Sequence, residues 1–196
     1  MSKQGNKKGL KLTDILVTLV IGAVFGVIYK VWGPLYYSIE PLGLHVNQLM
    51  YGMWFIASTF AFLIIRKPGV AILAEVAAAH MEFVFGGQWG LPTLIYGLLQ
   101  GLGAEIAFAL FRYRSASLGV VSLAAIGSCI ASIFIDQYYG YIEALTFWNY
   151  SLLVGFRVIG SVLISGVLAY YLAKAVENTG VTKLVRPASR ADYDKL

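Results

Sequence analysis

The chain has 196 residues, 59% hydrophobic and 13% charged, against about 25% charged in a typical soluble domain; its mean hydropathy is +0.73. A soluble core of this size needs a polar wrapping that this composition lacks, so the solvent it fits is lipid. The net charge of +5 and pI near 9.3 do not mark a nucleic-acid binder, because the basic residues sit in short clusters between apolar runs and form no stripe.

Residues 1–11 carry Lys3, Lys7, Lys8 and Lys11 and read as a cytoplasmic arm. The apolar run from Leu12 to about Val31 outlasts a typical signal-peptide core, and further spans follow, so it reads as a retained helix. Apolar stretches of about 20 residues lie at roughly 12–32, 47–65, 68–86, 91–111, 116–136 and 149–173. Gly33–Val46, rich in Pro, Tyr and Leu, joins the first two and is a candidate lid. Arg66-Lys67-Pro68 parts the second from the third, since proline disfavours helix in the residue before it. Gly86 to Pro92, Arg112 to Ser115 and Asp136 to Asn149 mark the remaining breaks. The expected fold is all-α and integral to the membrane: a six-transmembrane-helix bundle over residues 12–176, with a cytoplasmic tail at 177–196.

Charge sets the expected orientation. With the N-terminus inside, cytoplasmic segments hold 13 of the 15 Lys and Arg residues. Lys30 lies near an outer boundary and Arg157 falls within the last span. The positive-inside rule then gives a multi-pass cell-membrane protein with both termini cytoplasmic.

Signatures of soluble enzymes are missing: there is no Walker A sequence, no HExxH and no G-x-S-x-G. Cys129 is the single cysteine, so no disulfide forms within the chain and no cysteine-based metal site is available. The expectation is a protein that is not an enzyme, takes no cofactor or metal, and relies on a partner for any energy.

The polar groups inside the spans are Glu75, His80, Glu82, Gln100, Glu105, Asp136 and Arg157. A charged group at mid-helix costs about 2.5–3.5 kcal/mol on insertion scales, so each needs a reason. Helix rise puts Glu75 about 10 Å from the inner end of its span and Glu82 about 21 Å. Glu75 and Glu105 are expected to share an inner layer. His80, Glu82, Gln100 and Arg157 fall in a middle-to-outer layer, and Asp136 at the outer mouth. Tyr51 and Trp54 lie in the outer half of the second span, with Trp89, Tyr138, Tyr139 and Tyr141 nearby. Carboxylates with aromatic faces and an amide suit a planar, cationic, hydrogen-bonding ligand. Plainer roles stand beside this one: an interfacial aromatic belt, Arg157 as a structural partner for one of the glutamates, His80 bonded to a neighbouring helix, and Glu75 and Glu105 as packing residues.

Small residues form a second pattern, Thr18-x-x-x-Gly22-x-x-x-Gly26 and Gly97-x-x-x-Gly101. Such strips serve close helix approach, within the bundle or toward another protein.

Tyr51-Gly-Met-Trp54-Phe-Ile, Ile65-Arg-Lys-Pro-Gly69, Ala74-Glu75 and Gln100-Gly-Leu-Gly-Ala-Glu105 together resemble the YkoE family, substrate-binding S components of energy-coupling factor (ECF) transporters. The resemblance runs over about residues 12–176. It implies a six-helix receptor that captures thiamine or its hydroxymethylpyrimidine precursor and docks on a transmembrane T component driven by ABC-type ATPase subunits. Carried over by motif, the substrate-binding candidates are Tyr51, Trp54, Glu75, Glu82, Gln100, Glu105 and Asp136, with Gly22 and Gly26 toward the T component. The competing expectation is an autonomous secondary transporter or channel that uses Glu75, Glu105 and Arg157 as an ion relay.

Overall fold

The computed structural model describes residues 9–180 with Thr182 and Val185; Lys3, Lys7 and Lys8 of the expected arm and most of the expected tail lie outside the described residues. Regular structure among them is helical throughout. Helix α1 (Leu12–Ser38) is followed by a 3₁₀ turn at Glu40–Leu42 and a 3₁₀ segment at Val46–Phe55 that leads into α2 (Ile56–Ile65). Helices α3 (Val70–Val84), α4 (Pro92–Leu110) and α5 (Leu118–Tyr138) come next. The last rod is α6 (Phe147–Ser161), a π-helical segment (Val162–Leu168) and α7 (Ala169–Asn178).

Among the described residues, five stretches are long and apolar enough to cross a membrane: Leu12–Leu42, Val46–Ile65, Pro92–Leu110, Leu118–Tyr138 and Phe147–Asn178. The 15 residues of α3 extend about 22 Å, short of that measure. The chain is an all-helical integral membrane protein.

Helix α2 forms the centre. Every residue from Gly52 to Ile65 is buried, the state expected of a helix that is apolar all round. The outer helices each keep a lipid-type face; on α1 it runs through Leu12, Leu16, Val20, Val24, Val27, Val31 and Leu35, all exposed. Glycines set the close crossings. A Cβ added at Gly22 would stand 2.5 Å from Ala77 Cβ, and one at Gly26 2.5 Å from Ala78 O, so both face α3. Their expected place on a partner surface is therefore corrected: the backbone contact that small residues permit is used inside the chain.

Polar contacts identify the two ends. At one, Lys67 Nζ meets the buried Asp14 Oδ2 at 2.5 Å and Arg66 pairs with Glu177 at 3.3 Å. Leu10, whose side chain would lie 3.9 Å from a Cβ built at Gly69, and Glu177, paired with Arg66, place the beginning of α1 and the end of α7 at this same end. At the other, Lys30 Nζ donates to Gly86 O. Helices α1 and α3 thus run parallel from the Lys67 end to the Lys30 end.

The expected lid is mostly helix, since α1 continues through Gly33 and Pro34 to Ser38. Tertiary packing holds this last stretch: Gly33 lies against the Gln88 side chain, and Tyr36 is 5% exposed against Trp54.

Candidate functional site

A cavity of about 480 Å³ occupies the Lys30 half of the bundle, a volume typical of small-molecule sites. Its wall draws on α1, the 3₁₀ segment, α3, α4, α5 and α6.

The 3₁₀ segment supplies one side. With three residues per turn, Gln48, Tyr51 and Trp54 stack in a single row, where α-helical winding would fan them apart. All three line the cavity. Tyr36 packs edge-on to Trp54 at 5.0 Å between ring centroids, and Tyr51 lies 5.6 Å from Trp54. Trp54 Nε1 donates to Glu82 Oε1 at 3.1 Å.

Where the 3₁₀ segment becomes α2, the first amide groups of the new helix lack partners in their own chain segment. Tyr29 and Glu75 meet them: Ala57 N donates to Tyr29 Oη at 3.0 Å and Ser58 N to Glu75 Oε2 at 3.0 Å, while Tyr29 Oη donates to Glu75 Oε2 at 3.3 Å. Glu75 and Glu82, seven residues apart on α3, share one face, and both line the cavity. Gln100 follows from α4, 2% exposed.

Arg157 from α6 closes the far wall. Its Nε donates to Gln48 Oε1 at 2.7 Å, and one terminal nitrogen donates to Asp136 Oδ2 at 2.6 Å and Ser132 Oγ at 3.2 Å. Its guanidinium carbon stands 3.8 Å from the Tyr51 ring centre. Tyr96 donates to the other Asp136 oxygen. Asp136 is thus 6% exposed in the last turn of α5 and tied into the wall. Counting Glu40, four carboxyl groups and one guanidinium line the cavity; the guanidinium is paired with one of them, Asp136.

Tyr51, Trp54, Glu75, Glu82, Gln100 and Asp136 therefore come together, and Glu105 does not. Glu105 stands at the Lys67 end, where Oε1 accepts from Gly69 N at 2.5 Å and Oε2 from Ala71 N at 3.1 Å. A carboxylate there satisfies free amide groups and complements the dipole of α3. His80 is exposed, its Nδ1 2.8 Å from Val76 O of its own helix. Sequence reasoning missed Tyr29, Tyr36, Gln48, Thr93 and Tyr96. The signal available for Tyr96 was its place four residues before Gln100, one turn away on the same helix face.

Comparison with known proteins decides the class. The family described as "ABC-type cobalt transport system, permease component" matches residues 13–131. The chain is 33% identical over 185 residues to the putative HMP/thiamine permease protein YkoE of Bacillus subtilis (strain 168), covering 89% of this chain and 88% of that protein. It superimposes on the crystal structure of an S-component of an ECF transporter with a TM-score of 0.85 at 32% identity, covering 89% of each chain. The chain belongs to the YkoE-type S-component family of ECF transporters. This S component is a substrate-binding membrane subunit of a transporter and not an enzyme. The shared fold carries the cavity, and the cavity is where its substrate chemistry is sought.

Proposed function

We propose that this S component captures thiamine or its hydroxymethylpyrimidine precursor from outside the cell and passes it on through a T component and ABC-type ATPase subunits. The observation that carries the reading is an acidic, aromatic-walled cavity of about 480 Å³ in a chain one-third identical to a protein named for HMP and thiamine. In it, Glu82 offsets the charge of the thiazolium, Trp54 and Tyr51 flank a ring, and Glu75 and Gln100 supply hydrogen bonds. Asp136 orients Arg157, and Glu105 acts as the cap of α3 away from ligand.

The family description names cobalt, yet Glu75, Glu82 and Asp136 of the cavity are engaged by tyrosine, tryptophan or arginine. Among the described residues no group of three or more His, Cys, Asp and Glu is arranged to hold a metal ion. An organic cation fits this lining better.

We read α3 as the third of six crossings and the Lys67 end as cytoplasmic. Lys11, Arg66, Lys67, Arg112, Arg114 and Lys174 stand in segments at that end, which accords with the positive-inside rule. The cavity then opens outward. Between it and the cytoplasmic end lies packed core, including Phe62 stacked on Phe108 at 3.7 Å. This separation of Glu75 from Glu105 weakens the ion-relay alternative; uptake by cells lacking every ATPase partner would restore it.

The direct test is mass spectrometry of ligand retained through purification, followed by titration with thiamine. Glu82→Gln is expected to weaken binding at least about tenfold, some 1.4 kcal/mol. Unchanged affinity would take Glu82 out of the site.

A further inference from the structure

A second, smaller cavity of about 50 Å³ lies at the Lys67 end, between the close of α2, the start of α5 and α7. It is too small for an organic substrate and has room for one phosphate-sized group. Buried Leu63 and Ala173 supply its apolar side, and Arg66, Lys174 and Glu177 its charged one. Arg66, the cap of α2, pairs with Glu177 at 3.3 Å. Lys174 Nζ stands 5.0 Å over the Tyr170 ring and forms no ion pair among the described residues. The cavity thus holds two cations for one carboxylate. Ala116 also lines it, and α5 begins two residues later without a side-chain cap, so the positive end of that helix dipole adds to the field.

Beside the cavity runs an apolar lane. Leu168, Tyr171 and Lys174 follow one another about a turn apart on the last rod, with Leu168 47% and Tyr171 59% exposed and Lys174 exposed as well. Such a lysine lays its stem along apolar surface and keeps its ammonium at the polar boundary. A free anion would use the cavity alone, whereas a phospholipid would use the cavity and the lane together.

We infer that this groove seats an anionic phospholipid, with its phosphate between Arg66 and Lys174 and an acyl chain along Tyr171 and Leu168. Every phospholipid carries a phosphate, so selection comes from the rest of the headgroup. A choline cation meets two protein cations there, and a neutral glycerol does not. The bound lipid joins the end of α2 to α7 and fastens the end of the bundle away from the large cavity. The inference stands on this groove and holds whatever the large cavity binds.

The test compares phosphatidylglycerol with phosphatidylcholine on the purified full chain, by native mass spectrometry of retained lipid and by thermal unfolding in mixed micelles. Wild type is expected to retain phosphatidylglycerol about tenfold over phosphatidylcholine and to unfold at a higher temperature with it, since each nearby cation contributes about fivefold. Lys174→Gln is expected to cut the preference to about twofold and to lose the thermal gain, while still unfolding cooperatively in phosphatidylcholine. Arg114, exposed at the same end and outside the cavity, is the control, and Arg114→Gln is expected to keep the wild-type preference. A wild-type preference near unity overturns the inference. So do equal losses from Lys174→Gln and Arg114→Gln, which would mean diffuse surface charge. Inorganic phosphate that raises the unfolding temperature as much as the lipid also overturns it, leaving an anion site with no use for the lane.

Discussion

A guanidinium in the bilayer interior costs about 2.5–3.5 kcal/mol on insertion scales, and Arg157 offsets this with Asp136, Gln48, Ser132 and the Tyr51 ring. The pair is 2% and 8% exposed at its side chains, so removal of either partner strands a buried charge. Arg157→Met and Asp136→Leu are each expected to destabilise by about 3 kcal/mol, and the double variant by clearly less than the sum. Reversible unfolding in mixed micelles measures this; additive losses would show that the two side chains do not act as a pair. The same residues show what single positions disclose. That Glu82, Gln100 and Asp136 needed a reason was legible from their cost in lipid. That Arg157 belongs to Asp136 was not, because the partners are 21 residues apart on separate helices and only packing joins them. Glu105 misled for the same reason: its apolar neighbours hid the free amides of α3, which become its partners once the turn at Arg66 and Gly69 has folded back, both with positive φ.

Among elements, the 3₁₀ segment is the informative one. Runs of 3₁₀ helix beyond three or four residues are uncommon, and this one has ten. It packs on the rod of α6 and the π-helical segment: a Cβ added at Gly52 would stand 2.7 Å from Gly160 O, and Ser165 Oγ donates to Gly52 O at 2.5 Å. Two irregular windings thus meet beside the cavity and hold Gln48, Tyr51 and Trp54 in register. Gly52→Ala is expected to destabilise by about 1–3 kcal/mol through overpacking and to weaken ligand binding by moving that row. Gly155→Ala, with no atom within 4 Å of the new methyl, should stabilise α6 by about 0.5–1 kcal/mol and leave binding unaltered. Thermal unfolding and titration of both variants check this, and equal effects from the two would refute the role given to the Gly52 contact. Apolar windows revealed where these helices run, because the bilayer sets their length and polarity. They could not reveal 3₁₀ or π winding, since one stretch of hydrophobic residues satisfies either once a neighbouring helix presses on it.

At the scale of the whole molecule, the two ends differ in charge and in closure. Six described basic residues gather toward the Lys67 end, which is also the end sealed from the cavity. Cysteine labelling tests the orientation drawn from this. A membrane-impermeant maleimide is expected to modify Glu143→Cys in intact cells and Arg114→Cys only after permeabilisation; Cys129, fully buried, should stay silent. The reverse pattern would invert the receptor.

Composition and hydropathy, by themselves, determined that this chain lives in lipid as a helical bundle and that its buried acids call for a purpose. These follow from solvation, which acts on each residue separately and is therefore written along the chain. Tertiary structure alone decided which acids face a common space, that Gly22 and Gly26 serve α3, and that Glu105 is a cap. Those outcomes depend on which helices meet and in what register, and such contacts join residues that sequence distance keeps apart.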